Sequence, residues 1–150
     1  MERPSRDQTY IDIASVIAKR GTCGRLQVGA VITQGGRIIS TGYNGPLPNE
    51  PHCSSAVCDI SQSCVRAVHA EMNAILFSAR HGIATEGATL YCTYSPCINC
   101  ARAIVQAGIK RVVFKHKFRT SADGLETLIK NKVNFDQVDE DNIQNNTKPD

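Results

Sequence analysis

The chain has 150 residues, of which 41% are hydrophobic and 21% charged, and its formal net charge is +3. This length suits one soluble globular domain, and a mild positive charge without a block of five or six basic residues suits a phosphorylated small molecule rather than nucleic acid. No apolar run approaches the roughly 18 residues of a membrane span, and the N-terminus lacks the apolar segment of a secretory signal, so we expect a cytoplasmic protein that does not contact membranes.

Apolar residues at helical spacing predict a first helix from Asp7 to Lys19, with Asp7 as its N-cap and Gly21 as its stop. Strands follow at 28–33 and 37–43 around a hairpin turn, and then a helix at 70–80, a strand at 88–94, a helix at 97–107 and a strand at 111–114. A short helix begins at Ser121 or Asp123 and ends at 130, before a last strand at 133–138. This order predicts an α/β three-layer sandwich, a five-stranded mixed sheet with helices on both faces.

We expect one domain over 1–138, followed by a polar tail over 139–150. Residues 46–65 form an insertion with three prolines, three cysteines and no clear periodicity. A segment of this kind inside a compact domain is expected to be functional or held in place by something. The chain has seven cysteines, and without a secretory signal these favour metal ligands over a disulfide framework.

Two short motifs carry candidate metal ligands. His69-Ala70-Glu71 supplies one imidazole and one carboxylate, and Pro96-Cys97-Ile98-Asn99-Cys100 supplies two thiols one helical turn apart. Structural zinc sites close with four protein ligands, whereas catalytic sites leave one position open for water. A structural zinc with an incidental Glu71 is the alternative, and it would need a fourth ligand from elsewhere in the chain.

The spacing within the first motif constrains where its helix begins. Residues two apart in a helix point roughly 200° apart, so His69 and Glu71 can share a pocket only if His69 lies at the lead-in to the first turn. Pro96 likewise fits the start of a helix. We therefore expect two helix N-termini to converge on the metal, where their positive ends favour thiolates at Cys97 and Cys100.

The pattern His-x-Glu followed by Pro-Cys-x-x-Cys is that of the zinc nucleobase deaminases. The chain resembles the deoxycytidylate (dCMP) deaminases of the cytidine deaminase superfamily over roughly residues 10–118. The resemblance includes Val28-Gly29-Ala30-Val31-Ile32, Ser40-Thr41-Gly42-Tyr43-Asn44-Gly45, the helix that follows His69, and Gln106-Ala107-Gly108-Ile109-Lys110. The Gly-Tyr-Asn-Gly element and the Cys-rich insertion resemble the dCMP deaminases in particular.

The resemblance implies hydrolysis of dCMP to dUMP and ammonia, which feeds thymidylate synthesis. Zinc would lower the pKa of a bound water to about 7, and Glu71 would carry that water's proton to N3 of the cytosine and later to the leaving ammonia. Asn44 is implied as a contact to the sugar or base, although an Asn before Gly45 is also a common turn residue. We assign to the substrate site, in addition, three residues that adjoin the metal ligands: Ala70, Ser95 and Pro96.

The substrate 5′-phosphate needs cations, and Lys117 or Arg119 in the basic segment after the fourth strand is the nearest source. This chain has Phe118 where family members often carry a tyrosine, and Arg66 is a rival for the phosphate. The resemblance also implies a second, structural zinc in the insertion. Its ligands would be Cys23 and Cys53 with two of His52, Cys58 and Cys64, and the alternative is a set of free cysteines.

The resemblance further implies a homo-oligomer, commonly a hexamer, that is activated by dCTP with Mg²⁺ and inhibited by dTTP. The candidate effector contacts are Arg25, Gln27, Asn44 and Gly45, where the helix–strand loop and the end of the hairpin should meet. Two other functions stay open: a deaminase of another amino-heterocycle, such as tRNA adenosine or a free nucleoside, and a catalytically silent zinc-binding nucleotide sensor. A tRNA enzyme should be more basic than +3, and a sensor has no need of Glu71.

Overall fold

The computed structural model describes residues 2–54, 56–58, 61 and 63–138. Its elements are α1 (Arg6–Ala18), β1 (Gly29–Gln34), β2 (Arg37–Tyr43), α2 (Ala70–Arg80), β3 (Thr89–Tyr94), α3 (Ile98–Gln106), β4 (Arg111–His116), α4 (Ala122–Lys130) and β5 (Asn134–Gln137). The predicted order of helices and strands is confirmed, and most boundaries agree within one or two residues.

The five strands form one mixed sheet in the order β2-β1-β3-β4-β5. β1 pairs antiparallel with both β2 and β3, whereas β3–β4 and β4–β5 are parallel. Parallel neighbours need a crossover connection, which α3 and α4 provide. The carboxyl ends of β3 and β4 therefore lie at the same edge of the sheet, where the segments leading to α3 and α4 begin.

Alternate residues along the central strands serve two separate cores. Val31, Tyr91 and Val113 pack with Ile11 and Ala14 of α1 on one face. The neighbouring strand residues pack on the opposite face with α2, α3 and α4, in a larger core that includes Ala30, Ile32, Leu90, Cys92, Val112, Phe114, Ala74, Ile104 and Leu128. The three-layer sandwich with helices on both faces is thus confirmed, and Cys92 is a core residue.

The predicted N-cap of the first helix is wrong, although the predicted limits of the helix differ from the observed ones by only one residue at each end. Its N-cap is Ser5, whose hydroxyl accepts a hydrogen bond from the backbone N–H of Gln8 at 3.1 Å. Asp7 lies in the first turn, and its carboxylate accepts hydrogen bonds from Arg111 at 2.7 and 2.8 Å. The helix ends at Ala18, before Gly21. The Asp7 side chain therefore pairs with Arg111, a residue distant in sequence, and does not cap the helix as the local pattern predicted.

Helix α2 lies close against the hairpin at Gly42. A Cβ built on Gly42 would lie 2.7 Å from the backbone nitrogen of Ala74 and would overlap the carbonyl oxygen of Ala70. Only glycine lets the backbones of β2 and α2 approach this closely. This contact fixes the first turn of α2, and with it the position of His69.

The insertion begins and ends at a short bridge. Gly45 and Val68 exchange two backbone hydrogen bonds, at 2.8 and 3.2 Å, and form an isolated antiparallel bridge. The described residues between 46 and 65 form no helix or strand, in agreement with the irregular segment expected there. The predicted tail over 139–150 lies outside the described residues. None of the helices in the described ranges is both long enough and apolar enough to cross a membrane.

Candidate active site

Two helix N-caps supply the candidate metal ligands. His69 is the N-cap residue of α2 and Cys97 that of α3, and both have extended backbone dihedrals. Neither side chain caps its own helix, so each is directed elsewhere. The expectation that His69 precedes the first helical turn is confirmed, because α2 begins at Ala70. Cys100 follows Cys97 by one turn of α3 and is buried.

The three ligand atoms converge. The Nδ1 atom of His69 lies 3.5 Å from the Sγ of Cys97 and 3.3 Å from the Sγ of Cys100. All three atoms lie within 4.8 Å of one another, and among the described residues no other group of three His, Cys, Asp or Glu side chains meets that limit. One nitrogen and two sulfur donors at the ends of two rigid helices fit Zn²⁺ and leave a fourth tetrahedral position without a protein ligand.

The pKa values of the two thiols are shifted in opposite directions. The pKa of Cys97 is lowered to about 3, chiefly because the Cys100 thiol donates a hydrogen bond to it and also because the His69 ring lies beside it. The pKa of Cys100 is raised, mainly because it keeps the proton that it donates to Cys97. The pKa of His69 is raised, first by its hydrogen bond with Cys97. Coordination to a metal would deprotonate both thiols.

Glu71 lies one residue inside α2 and is 4% exposed. Burial is the main reason that its carboxyl pKa is raised, and the Cys100 side chain is one of its hydrogen-bond partners. A carboxyl group that is buried next to a metal site but absent from the ligand set is suited to carrying a proton. The helix thus presents one ligand from its cap and one candidate acid–base group from its first turn.

A family model described as the cytidine and deoxycytidylate deaminase zinc-binding region matches residues 4–116. The chain belongs to this deaminase family. It is 40% identical to ComE operon protein 2 of Bacillus subtilis over 144 residues, which cover 95% of this chain and 76% of that protein. It is also 40% identical to deoxycytidylate deaminase of Mycobacterium phage D29 over 126 residues, which cover 76% of this chain and 97% of the phage protein.

Solved structures of the family agree with this fold. The dCMP deaminase of cyanophage S-TIM5, in complex with dCMP and dUMP, superposes with a TM-score of 0.82 at 29% identity. The match covers 92% of this chain and all of the cyanophage chain. The five-stranded mixed sheet with its four helices is therefore the cytidine deaminase fold.

Asn44 in this deaminase holds two backbone segments together. Its Oδ1 accepts from the N–H of Val28 and its Nδ2 donates to the carbonyl of Leu26, both at 2.8 Å. The residue is 8% exposed. An amide can form further hydrogen bonds beyond these two, and its contact to substrate stays a prediction. The same two bonds confirm that the helix–strand loop meets the end of the hairpin.

The remaining predicted effector residues lie around this junction. Gln27 is exposed, and its Nε2 donates to the carbonyl of Gly21 at 2.8 Å. Arg25 is also exposed. Gly45 is buried and paired with Val68. The structure therefore places these residues close together, next to the segment that leads to His69.

Ser95 is held by hydrogen bonds within the protein, and its contact to substrate stays a prediction. It is 3% exposed, its hydroxyl donates to the Ser121 hydroxyl, and it accepts from the backbone N–H of Phe118. Because the only hydroxyl proton is used within the protein, this side chain cannot donate to a ligand. Ala70 and Pro96, which adjoin the ligands His69 and Cys97 in the chain, are fully buried. Lys117 and Arg119 are exposed in the loop after β4.

The structure does not bring the predicted ligands of a second zinc together as it does those of the first, and the second zinc stays a prediction. None of His52, Cys53, Cys58 and Cys64, nor Cys23 before β1, belongs to a set of three ligand atoms within 4.8 Å in the described part of the chain. Cys53 accepts from Arg66 at 3.8 Å, and Cys64 accepts from the N–H of Ala67 at 3.4 Å. Arg66, the rival for the phosphate, also donates to the carbonyl of Pro51.

Sequence reasoning missed the part that α4 plays at this site. A Cβ built on Gly124 would lie 3.0 Å from the carbonyl carbon of Cys97 and would overlap the carbonyl oxygen of Pro96. Ser121, just before α4, is fully buried and bonded to Ser95. A glycine inside a predicted helix was the available signal, since it often marks a close backbone approach.

Proposed function

We propose that this protein is a zinc-dependent hydrolase that converts dCMP to dUMP and ammonia. The observation that carries the proposal is the buried carboxyl of Glu71 beside the converging His69, Cys97 and Cys100. The likeness to named deoxycytidylate deaminases and to a structure with dCMP and dUMP supports the choice of nucleotide.

His69, Cys97 and Cys100 would hold the zinc ion. When bound, zinc makes a water molecule acidic enough to act as a nucleophile at neutral pH. Two thiolates balance the dication, and a neutral imidazole adds no charge. Because both helices begin at these ligands, their N-terminal ends stabilise the thiolates.

Glu71 would transfer two protons in turn. Its carboxylate takes a proton from the attacking water and delivers it to N3 of the cytosine, which makes C4 more electrophilic. It would then take the second water proton from the hydroxyl now on C4 and deliver it to the amino group, so that the C4–N bond breaks, the C4 carbonyl of dUMP forms and ammonia leaves. Burial raises the pKa of this carboxyl, which brings it towards the pH at which one group can both accept and donate.

Regulation by nucleotides is a further part of the proposal. dCTP with Mg²⁺ would activate, and dTTP would inhibit, by binding where Arg25 and Gln27 meet Asn44 and Gly45, in a homo-oligomer such as a hexamer. The support is the hydrogen-bonded junction at Asn44, which joins this surface to Gly45, and the Gly45–Val68 bridge next to His69. Lys117 and Arg119 would bind the substrate phosphate.

The test is ammonia release by zinc-loaded protein given dCMP, deoxycytidine, a cytosine oligonucleotide or tRNA, each with and without dCTP and Mg²⁺ or dTTP. Turnover of dCMP alone, raised by dCTP and lowered by dTTP, is the expected result. Turnover of tRNA or of deoxycytidine in preference to dCMP would replace the proposed substrate. No turnover of any of them would favour the nucleotide sensor.

Glu71→Gln separates the proton carrier from the metal site. The amide keeps the size of the side chain but cannot carry a proton, so we expect kcat for dCMP to fall about 10³-fold. Zinc content, measured by mass spectrometry of the purified protein, should stay at the wild-type level because Glu71 is not a ligand. Activity within tenfold of wild type would contradict the assigned role.

A further inference from the structure

Three hydrogen bonds form a closed triangle where β3 and β4 end. The Ser95 hydroxyl donates to the Ser121 hydroxyl at 2.7 Å, and the Ser121 hydroxyl donates to the carbonyl of Phe118 at 2.6 Å. The backbone N–H of Phe118 donates back to the Ser95 hydroxyl at 2.7 Å. Both hydroxyl protons and both backbone groups of Phe118 are thereby satisfied.

The triangle is buried on its serine side. Ser95 is 3% exposed and Ser121 is fully buried. Removing the Ser121 hydroxyl would leave the buried Ser95 hydroxyl without its acceptor, and removing the Ser95 hydroxyl would leave the Phe118 N–H without one, which is costly. The Phe118 carbonyl also accepts from the backbone N–H of Ser121 at 3.0 Å. Each hydroxyl both donates and accepts, and such chains of hydrogen bonds strengthen one another. The triangle is consequently more rigid than three separate surface contacts would be.

One end of the triangle is fixed to the metal ligands. Ser95 precedes Cys97 by two residues, and its backbone N–H donates to the carbonyl of His116 at 2.8 Å. Gly124 lets the first turns of α4 lie directly on the backbone of Pro96 and Cys97. Ser121 and Gly124 thus support the segment that carries Cys97 from the same side.

The other end of the triangle is a basic loop. Phe118 stands between Lys117 and Arg119, and both cations are exposed. Its ring lies edge-on to that of Tyr94, with centroids 6.3 Å apart. Phe118, between the two cations, therefore contacts Tyr94 and Ser95 at the end of β3, just before Cys97.

We propose that Ser121 is a positioning residue that sets the distance between the 117–119 loop and the Cys97 end of the metal site. The inference rests on the proposed function. A nucleoside monophosphate must be bound at its phosphate and at its base at the same time. A shift of the 117–119 loop would therefore weaken binding of the phosphate while the reacting groups stay in place. Small displacements of positioning groups are known to cost large factors in rate or affinity.

Ser121→Ala tests this with kinetics on zinc-loaded protein. We expect KM for dCMP to rise about tenfold, kcat to change less than threefold, and zinc content to stay the same. Ser95→Ala should give a similar change. The double variant should be no worse than the poorer single variant, because both substitutions open the same triangle.

Ser78→Ala is the matched control. Ser78 is 1% exposed, and its hydroxyl donates to the carbonyl of Ala74 within α2. This variant loses a buried serine hydroxyl that has no link to the loop, and KM for dCMP should stay within twofold of wild type. A KM rise in Ser78→Ala equal to that in Ser121→Ala would overturn the proposal, as would zinc loss in Ser121→Ala.

Amide hydrogen exchange gives a readout that needs no turnover. The Phe118 N–H is protected by its bond to Ser95, so its exchange should quicken at least tenfold in Ser121→Ala and stay unchanged in Ser78→Ala. Unchanged exchange in Ser121→Ala would show the positioning role to be wrong. If wild-type protein did not turn over dCMP, the proposed function would fall, whereas the exchange rates would still decide whether Ser121 holds the loop.

Discussion

Asn44 occupies the point where the loop after α1 meets the end of β2. Its amide accepts from the N–H of Val28 and donates to the carbonyl of Leu26, just before β1. Asn44→Ala should therefore lower the free energy of unfolding by about 2 kcal/mol, since two partly buried backbone groups lose a partner. Urea denaturation of zinc-loaded protein measures the loss.

Asn131→Ala is the control for that variant. Asn131 is exposed, and its Nδ2 donates to the carbonyl of Thr127 at 2.9 Å. Water replaces such a bond easily, and the expected cost is below about 0.5 kcal/mol. An equal loss in the two variants would mean that the Asn44 bonds add nothing particular to stability.

The close packing of α2 on β2 depends on the absence of a side chain at Gly42. Gly42→Ala would press a methyl group against the backbone of Ala70 and Ala74. The helix must then move away from the sheet, at a cost of about 1–3 kcal/mol. Because His69 is the N-cap of that helix, zinc affinity should fall as well, which competition with a chelator can measure.

Gly24→Ala is the control variant for Gly42→Ala. A Cβ on Gly24 has no heavy atom within 4 Å, so the methyl group enters open space. Stability and zinc affinity should both stay at wild-type values. A Gly42→Ala protein that matched Gly24→Ala in both measurements would contradict the close packing of α2 on the hairpin.

One ion cluster joins four elements of the whole molecule. Arg111 of β4 donates to both carboxylate oxygens of Asp7 in α1 and to Asp136 of β5, and Tyr91 of β3 donates to Asp7 at 3.0 Å. The Arg111 side chain, chiefly through its hydrogen bonds, lowers the pKa of Asp7 from its usual 3.8. The Asp7 carboxyl group loses its proton more readily in the folded protein than in the unfolded chain.

The lowered pKa makes stability depend on pH in a defined window. Its contribution is complete above the unfolded pKa of about 3.8 and is lost as the pH falls through the lower folded value. Asp7→Asn should cost about 2 kcal/mol at pH 7, and the difference in stability from wild type should narrow as the pH falls below about 3.8 and close below the folded pKa. Denaturation across pH 2–7 measures it, with Asp12→Asn on the same helix as control. A gap that stayed constant with pH would contradict the assignment.

The sequence reveals those parts of this fold that local spacing determines. β2 and α2 were predicted at their observed limits, because a glycine-containing turn and a regular apolar stripe mark them. The position of His69 before its helix followed from the angle between residues two apart. These inferences need no knowledge of distant residues.

The errors have a common physical origin. Asp7 was assigned to a helix cap although it pairs with a residue 104 positions away, and the hydrogen bond between Ser95 and Ser121 was not foreseen from either residue. The type of a polar residue determines which groups its side chain can form hydrogen bonds with, but only the tertiary structure determines which of those groups lies next to it. The metal ligands could be predicted more easily, because His69, Cys97 and Cys100 lie in two short motifs at the starts of helices.

The bridge between Gly45 and Val68 has a consequence for how this chain can be altered. Backbone hydrogen bonds between Gly45 and Val68 close the segment between them into a loop. Doubling the length of such a loop raises the entropic cost of closing it by only about 0.6 kcal/mol. Residues could be added, removed or exchanged there while Asn44 and His69 kept their spacing, which makes this stretch the place to graft a new recognition element onto an unchanged reaction centre.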